Sequence, residues 1–124
     1  MDAIRMMKEE SDIIPRVFVT NYAGHDYSAL NRYGKQVFIT RGFISFQGLD
    51  RVKFQVAQGM MDSGPEDWLA LSGTNVLNVI AAVLWYQRHG KVKVLNYDKE
   101  TRQYRELILT EENNGQLFAV LSSS

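Results

Sequence analysis

The apolar stretch of residues 67–85 is interrupted once, by four small polar residues. Ser72, Gly73, Thr74 and Asn75 separate the run WLAL from the run VLNVIAAVLW. Glycine permits a sharp turn and the close approach of a ligand, and serine or threonine can cap a helix whose first N–H groups favour an anion. The segment lacks the lysine of a P-loop and the three glycines of the dinucleotide fingerprint. It predicts either a phosphate-binding corner or an ordinary capped corner between a strand and a helix.

Two asparagines on the helix that follows could also contact a ligand. Asn75 and Asn78 lie one turn apart on a helical pattern that is otherwise apolar, and a buried amide needs hydrogen-bond partners. The partners could be the polar edge of a ligand or the backbone of neighbouring loops. The sequence leaves both interpretations open.

Polar and aromatic residues follow two other apolar runs. Asn21 and Tyr22 come after the first run, and Arg41 comes directly after the second. A guanidinium can bind phosphate or carboxylate through two parallel hydrogen bonds, and an aromatic ring can stack on a base. Arg41 could equally be a surface residue that forms an ion pair with Asp50 or Glu66.

Candidates for catalysis are few. His25 and Asp26 are the one neighbouring His/Asp pair, and His25 on a glycine-containing loop could act as an acid or a base, while Asp26 could instead cap a helix. His89 stands at the end of a long helical pattern, where a cation is favoured. No serine lies in a G-x-S-x-G motif, and two distant histidines without cysteine do not suggest a zinc site. Whether the protein catalyses a reaction is left open.

Apolar runs of strand length alternate with helical patterns along the chain, which predicts an α/β fold. We expect a three-layer α/β/α Rossmann-like sandwich with a mostly parallel sheet, because strand, helix, strand connections favour parallel neighbours. In such sheets, ligands bind beyond the carboxyl ends of the strands, where the three polar loops above would converge. The predicted strands are 17–19, 37–39 and 68–72, and the predicted helices are 28–33, 49–60 and 74–89.

The C-terminal third predicts a hairpin. Residues 91–98 alternate between apolar and polar side chains, and residues 104–109 follow after a short turn. We expect an antiparallel hairpin strand at the sheet edge and the strand order 2-1-3-4, with the hairpin strand outside. The run LFAVL, residues 117–121, predicts a last strand or a contact with a partner.

Size and charge limit the possible functions. A chain of 124 residues suffices for one domain, and we assign residues 13–124 to a single Rossmann-like domain and residues 1–12 to a leader or short helix. Fourteen basic and fourteen acidic residues cancel, which disfavours nucleic acid and anionic membranes as partners. The chain has no cysteine and no apolar run long enough to cross a bilayer, so we expect a cytoplasmic protein.

Several segments together resemble a known group of proteins. HDYSALNRYG, KQVFITRG, PEDWLALSG and HGKVKVLNYDKETRQY are similar to segments of small α/β proteins encoded by tailed bacteriophages, over roughly residues 15 to 107. The resemblance implies a phage setting and transfers no catalytic residue.

Two functional hypotheses follow. In the first, the domain binds a nucleotide or another phosphorylated small molecule, without a metal or cofactor, at the carboxyl ends of its parallel strands. In the second, it is a non-catalytic interaction or assembly module that contacts a protein partner, or a second copy of itself, through the edge hairpin and the C-terminal tail. The ligand-binding residues expected in the first hypothesis are Asn21, Tyr22, Arg41, Ser72, Gly73, Thr74, Asn75 and Asn78.

Overall fold

The computed structural model describes residues 14–122, and of Asn113 only the backbone. The leader assigned to residues 1–12 lies outside the described residues. No helix among those that are described is both long enough and apolar enough to span a membrane. The elements are β1 (Val17–Tyr22), a 3-10 helix (Ser28–Tyr33), β2 (Gln36–Arg41), α1 (Leu49–Gly59), β3 (Trp68–Ala70), α2 (Asn75–His89), β4 (Lys91–Asp98), β5 (Gln103–Thr110) and α3 (Glu111–Ser122).

The strands form one five-stranded sheet in the order β2-β1-β3-β4-β5. The first four strands are parallel, and β5 pairs antiparallel with β4. The consecutive apolar residues of β1 are buried because β1 lies inside the sheet and both of its faces are covered. These findings confirm the mostly parallel sheet, the strand order and the antiparallel hairpin strand.

The two faces of the sheet are covered unequally. On one face, α1 and α2 pack on the sheet and bury Trp85 completely, with its ring 5.4 Å from that of Phe18. On the opposite face, the described cover centres on the 3-10 helix, whose Leu30 is fully buried against Val19 and Leu95. The α/β class is therefore established, and the three-layer Rossmann-like sandwich stays a prediction.

Two predicted elements differ from the observed ones. The first helix, expected around residues 28–33, is a six-residue 3-10 helix that ends at Tyr33, before Gly34 with its φ of +140°. The run LFAVL is helical, so the interpretation as a last strand is wrong. Five consecutive apolar residues have no period that separates strand from helix, and Glu111 and Glu112 in the first turn favour a helix start.

Candidate functional site

The loops after β1, β2 and β3 meet at one edge of the sheet, where they line two cavities. The Arg41 cavity has a volume of about 720 Å³ and is lined by Arg41, Phe43 and Thr74 among others. The asparagine cavity has a volume of about 870 Å³ and includes Asn75, Asn78 and Asn96 in its wall. The predicted residues divide between the two: Asn21, Tyr22, Arg41 and Thr74 line the first, Ser72, Asn75, Asn78, His25 and Asp26 line the second, and Gly73 lines both.

Gly73 and Thr74 form the corner that starts α2. Thr74 is the N-cap, and its hydroxyl accepts a hydrogen bond from the Leu77 N–H at 3.4 Å. Gly73 has a φ of +91°, and a Cβ at this position would lie 3.0 Å from the Asn21 Cβ. The glycine is thus required by the turn and by packing against Asn21. Within the described residues, the N–H groups of Asn75 and Val76 at the helix start donate no hydrogen bond, as is usual in a first turn.

A hydrogen-bond network joins the ends of β1 and β3. The Thr20 hydroxyl lies 2.6 Å from the Ser72 carbonyl oxygen and 2.5 Å from the Asn78 Oδ1. The Ser72 N–H lies 2.7 Å from the Thr20 Oγ1 and 3.2 Å from the Asn78 Oδ1. The Asn78 oxygen therefore holds the corner together. Its amide nitrogen has no hydrogen-bond partner within the described residues, and the residue lines the asparagine cavity.

Asn21 is also engaged in the fold. Its Nδ2 donates to the Gly42 carbonyl oxygen at 2.9 Å, and its Oδ1 accepts from the Thr40 hydroxyl at 3.0 Å. The residue is 6% exposed. Asn21 thus fixes the loop after β2 relative to β1, and it shapes the Arg41 cavity more than it offers free groups to a ligand.

Arg41 carries the cationic group of its cavity. Its guanidinium carbon lies 4.9 Å from the ring centroid of Phe38 and 5.5 Å from that of Tyr22. It forms no ion pair within the part of the chain that is described, and Glu66 pairs instead with Lys91 and Lys93. The interpretation of Arg41 as half of an ion pair with Glu66 is therefore wrong, and the stacked guanidinium remains available to an anion.

Tyr27 ties the loop after β1 to the corner after β3. Its hydroxyl lies 2.8 Å from the Ser72 Oγ and accepts a hydrogen bond from the Ala23 N–H at 2.9 Å. Its ring packs on Phe38 and on Tyr22 at centroid distances of 5.5 and 5.7 Å. Tyr27 is 7% exposed, so it positions both loops from beneath.

His25 and Asp26 do not form a catalytic pair in this structure. Asp26 accepts a hydrogen bond from the Ser28 N–H at 2.9 Å, and this bond holds the pKa of Asp26 below its ordinary value. His25 packs edge-on against Tyr27, with ring centroids 6.1 Å apart, and has no hydrogen bond within residues 14–122. The alternative interpretation of Asp26 as a helix cap is wrong as well, because the N-cap of the 3-10 helix is Tyr27 and the helix has no side-chain cap hydrogen bond.

The other histidine lies away from both cavities. His89 Nε2 is 2.8 Å from the Ser63 hydroxyl, which itself donates to the Met60 carbonyl oxygen at 2.6 Å. Burial, reinforced by the charge of Arg88, lowers the pKa of His89. Across the described residues, no three histidine, aspartate or glutamate side chains come together as a metal site requires.

Sequence reasoning missed the contribution of the hairpin to the asparagine cavity. Asn96, Tyr97, Lys99 and Tyr104 line this cavity beside Asn75. Burial raises the pKa of Tyr104, whose ring packs on Tyr97 at 5.2 Å. The sequence did contain an indication of this. Ligands bind beyond the carboxyl ends of parallel strands, and β4 is such a strand, so the turn after β4 belongs with the other three loops. Phe43, 92% exposed beside the Arg41 cavity, was missed as well.

Comparison with known protein families identifies a match over most of the chain. Residues 15–111 match the model of a protein family described as phage Pam3 gp32-like protein. This confirms the resemblance to small phage proteins. None of the curated proteins and none of the solved structures matches the chain.

Proposed function

The chain belongs to the phage Pam3 gp32-like protein family, and from that premise we propose that it is a phage protein that binds a nucleotide or another phosphorylated small molecule in the Arg41 cavity. The family description specifies a phage setting and no ligand. The choice of ligand class therefore depends on the chemistry of the cavity wall.

The observation that carries the proposal is the state of Arg41. Its guanidinium is held over two aromatic rings, and no carboxylate among the described residues neutralises it. Ordering an arginine before the ligand arrives lowers the entropy cost of binding, and the planar fork of guanidinium matches phosphate oxygens. A phosphate beside Arg41 would gain a charge-assisted hydrogen bond at a preformed position.

The start of α2 adds a second group that favours an anion. Thr74 lines the Arg41 cavity and is the N-cap of α2, so it lies at the positive end of the helix dipole. Arg41 and this helix start border the same cavity, so one phosphate group could interact with both.

Aromatic side chains favour a nucleotide over a simple sugar phosphate. Phe43 and Tyr22 line the cavity and are 92% and 41% exposed. A base that stacks on one of these rings while its phosphate binds Arg41 would gain roughly 1–3 kcal/mol from stacking. The proposal retains two predictions from the sequence, the Rossmann-like arrangement and a cytoplasmic location, where nucleotides are dissolved.

A screen of thermal unfolding against nucleotides, linear and cyclic dinucleotides and sugar phosphates tests the proposal. A ligand at about one hundred times its dissociation constant adds about 2.7 kcal/mol to stability, which raises the midpoint by several degrees. We expect Arg41→Ala to abolish the shift produced by the active compound while the protein stays folded.

Arg32→Ala is the matched control. Arg32 also lies over an aromatic ring, 5.1 Å from the Tyr33 centroid, but it borders neither cavity. The control should keep the full shift. A shift that survives Arg41→Ala but disappears with Asn75→Ala would place the ligand in the asparagine cavity and contradict the proposed location. No shift with any compound would count against ligand binding itself.

A second candidate function is protein interaction or assembly. It is supported by α3, in which Leu117 and Phe118 are 58% and 67% exposed, and by β5, in which Leu107 and Leu109 are 48% and 47% exposed. Apolar side chains exposed together in this way are typical of interaction surfaces.

A further inference from the structure

The C-terminal helix α3 presents apolar side chains to solvent. Leu117 and Phe118 are each more than half exposed, and residues 115–122 include no charged side chain. A helix of twelve residues is only marginally stable in water unless its apolar side packs on something. The helix therefore needs an apolar surface to lie on.

A surface of that kind lies between α2 and β5. Val79 on α2 is 62% exposed, Leu107 and Leu109 on β5 are about half exposed, and Val94 forms the floor between them. These residues line the apolar end of the asparagine cavity, and we call this end the α2/β5 groove. A groove with an aliphatic floor and walls fits the apolar side of a helix.

In this structure α3 does not cover the groove of its own chain, because Val79 and Leu107 in the groove and Phe118 on the helix stay exposed. β5 ends at Thr110 and α3 begins at Glu111, so no loop residue separates them. A helix that turns back over its preceding strand usually requires a loop of two or more residues. Thr110 pairs with Lys91 at the start of β4, so α3 leaves from the sheet edge opposite the ligand loops.

We infer that α3 of one copy packs in the α2/β5 groove of a second copy, giving a symmetric dimer in which the two chains exchange their C-terminal helices. Every copy has both the helix and the groove. Two copies related by a two-fold axis can therefore each place their helix in the groove of the other. The inference gives the partner for the second candidate function above, and it is independent of ligand binding in the Arg41 cavity.

The first experiment measures the molar mass of the full chain in solution by light scattering after size exclusion. We expect a dimer for the wild type. Phe118→Asp and Val79→Asp should each weaken the dimer by tenfold or more, because each places a charge in an apolar contact. Phe118 and Val79 are exposed in the single chain, so neither change should prevent folding, which far-ultraviolet circular dichroism checks.

Phe54→Asp is the matched control. Phe54 lies on α1, outside the groove, and is 69% exposed, close to the 67% of Phe118. This variant should stay dimeric. A monomeric wild type would overturn the inference, and so would a dimer that persists in both Phe118→Asp and Val79→Asp.

The second experiment identifies the occupant of the groove. The chain contains no cysteine, so V79C and F118C introduce the only thiols. When the two single variants are mixed and treated with a short bismaleimide, we expect a covalent dimer that contains one chain of each kind. Either single variant alone lacks one of the two thiols, so it cannot form the link between positions 79 and 118 and serves as the control.

The double variant V79C/F118C separates exchange from packing within one chain. Exchange predicts covalent dimers, whose yield falls on dilution below the dissociation constant. A cross-link within one chain, without dimers, would show that α3 occupies its own groove and would overturn the inference. If the thiol of V79C reacts with a maleimide only after residues 1–13 are deleted, that segment occupies the groove, and the inference would again be overturned.

Discussion

At the scale of single residues, Gly73 is the position where the candidate site tolerates least change. Its φ of +91° is the left-handed region, which costs an alanine about 1–2 kcal/mol. An added Cβ would also lie 3.0 Å from the Asn21 Cβ and 3.2 Å from its Nδ2, so the Asn21 side chain would have to move. We expect Gly73→Ala to lower the midpoint of thermal unfolding by about 4–8 °C.

Gly24→Ala separates the two causes. Gly24 has a φ of +81°, but a Cβ there would meet nothing within 4 Å, so only backbone strain remains. Its loss of stability should be smaller than that of Gly73→Ala. If both variants lose the same stability, the contact between the added Cβ and Asn21 contributes nothing to the loss. The corner would then accommodate a side chain at position 73.

At the scale of elements, the turn between β4 and β5 contains a strained residue. Arg102 has a φ of +58°, while Asp98 holds the turn by accepting hydrogen bonds from the Glu100 N–H and the Arg105 Nε, each at 2.9 Å. Glycine removes a strain of about 1–2 kcal/mol and costs about 0.5–1 kcal/mol in chain entropy. Arg102→Gly should therefore stabilise the protein by about 0.5–1 kcal/mol in urea unfolding.

Thr101→Gly is the control for that element. Thr101 does not have a positive φ, so the change brings the entropy cost without relief of strain. It should destabilise the protein. If both glycine variants lose stability, the left-handed conformation of Arg102 is not a source of strain in the folded hairpin.

At the scale of the whole molecule, the helix exchange links stability to protein concentration. The two buried clusters of the core contain no residue of α3, so deletion of residues 115–124 should leave the monomer folded. The wild-type midpoint should rise with protein concentration, because association favours the folded state by mass action. In the truncated chain the midpoint should be independent of concentration, as differential scanning fluorimetry over a dilution series would show. Concentration dependence that survives the truncation would mean that another surface associates.

The sequence by itself determined the strands and helices that a local pattern of residues indicates. The apolar runs of residues 17–19 and 68–72 predicted strands, and β1 is buried on both faces, as a continuous apolar run indicates. The sequence predicted a helix over residues 74–89, and α2 has Thr74 as its N-cap and ends at the left-handed Gly90. The expected strand order 2-1-3-4 agrees with the observed sheet, but local patterns do not determine strand order, and the tertiary structure decided it.

Only the tertiary structure decided which polar groups are free for a ligand. Thr20 bonds to Ser72 across 52 positions of sequence, and Asn21 bonds to the loop after β2, so these polar groups support the fold. Arg41 has no ion pair with Glu66 because Glu66 precedes β3 and Arg41 ends β2, at opposite ends of the parallel strands, where Glu66 pairs with Lys91 and Lys93. The sequence likewise placed all candidate residues in one site, whereas packing of the corner at Gly73 divides them between two cavities. Side-chain pairs distant in sequence depend on strand register and packing, which no local pattern encodes.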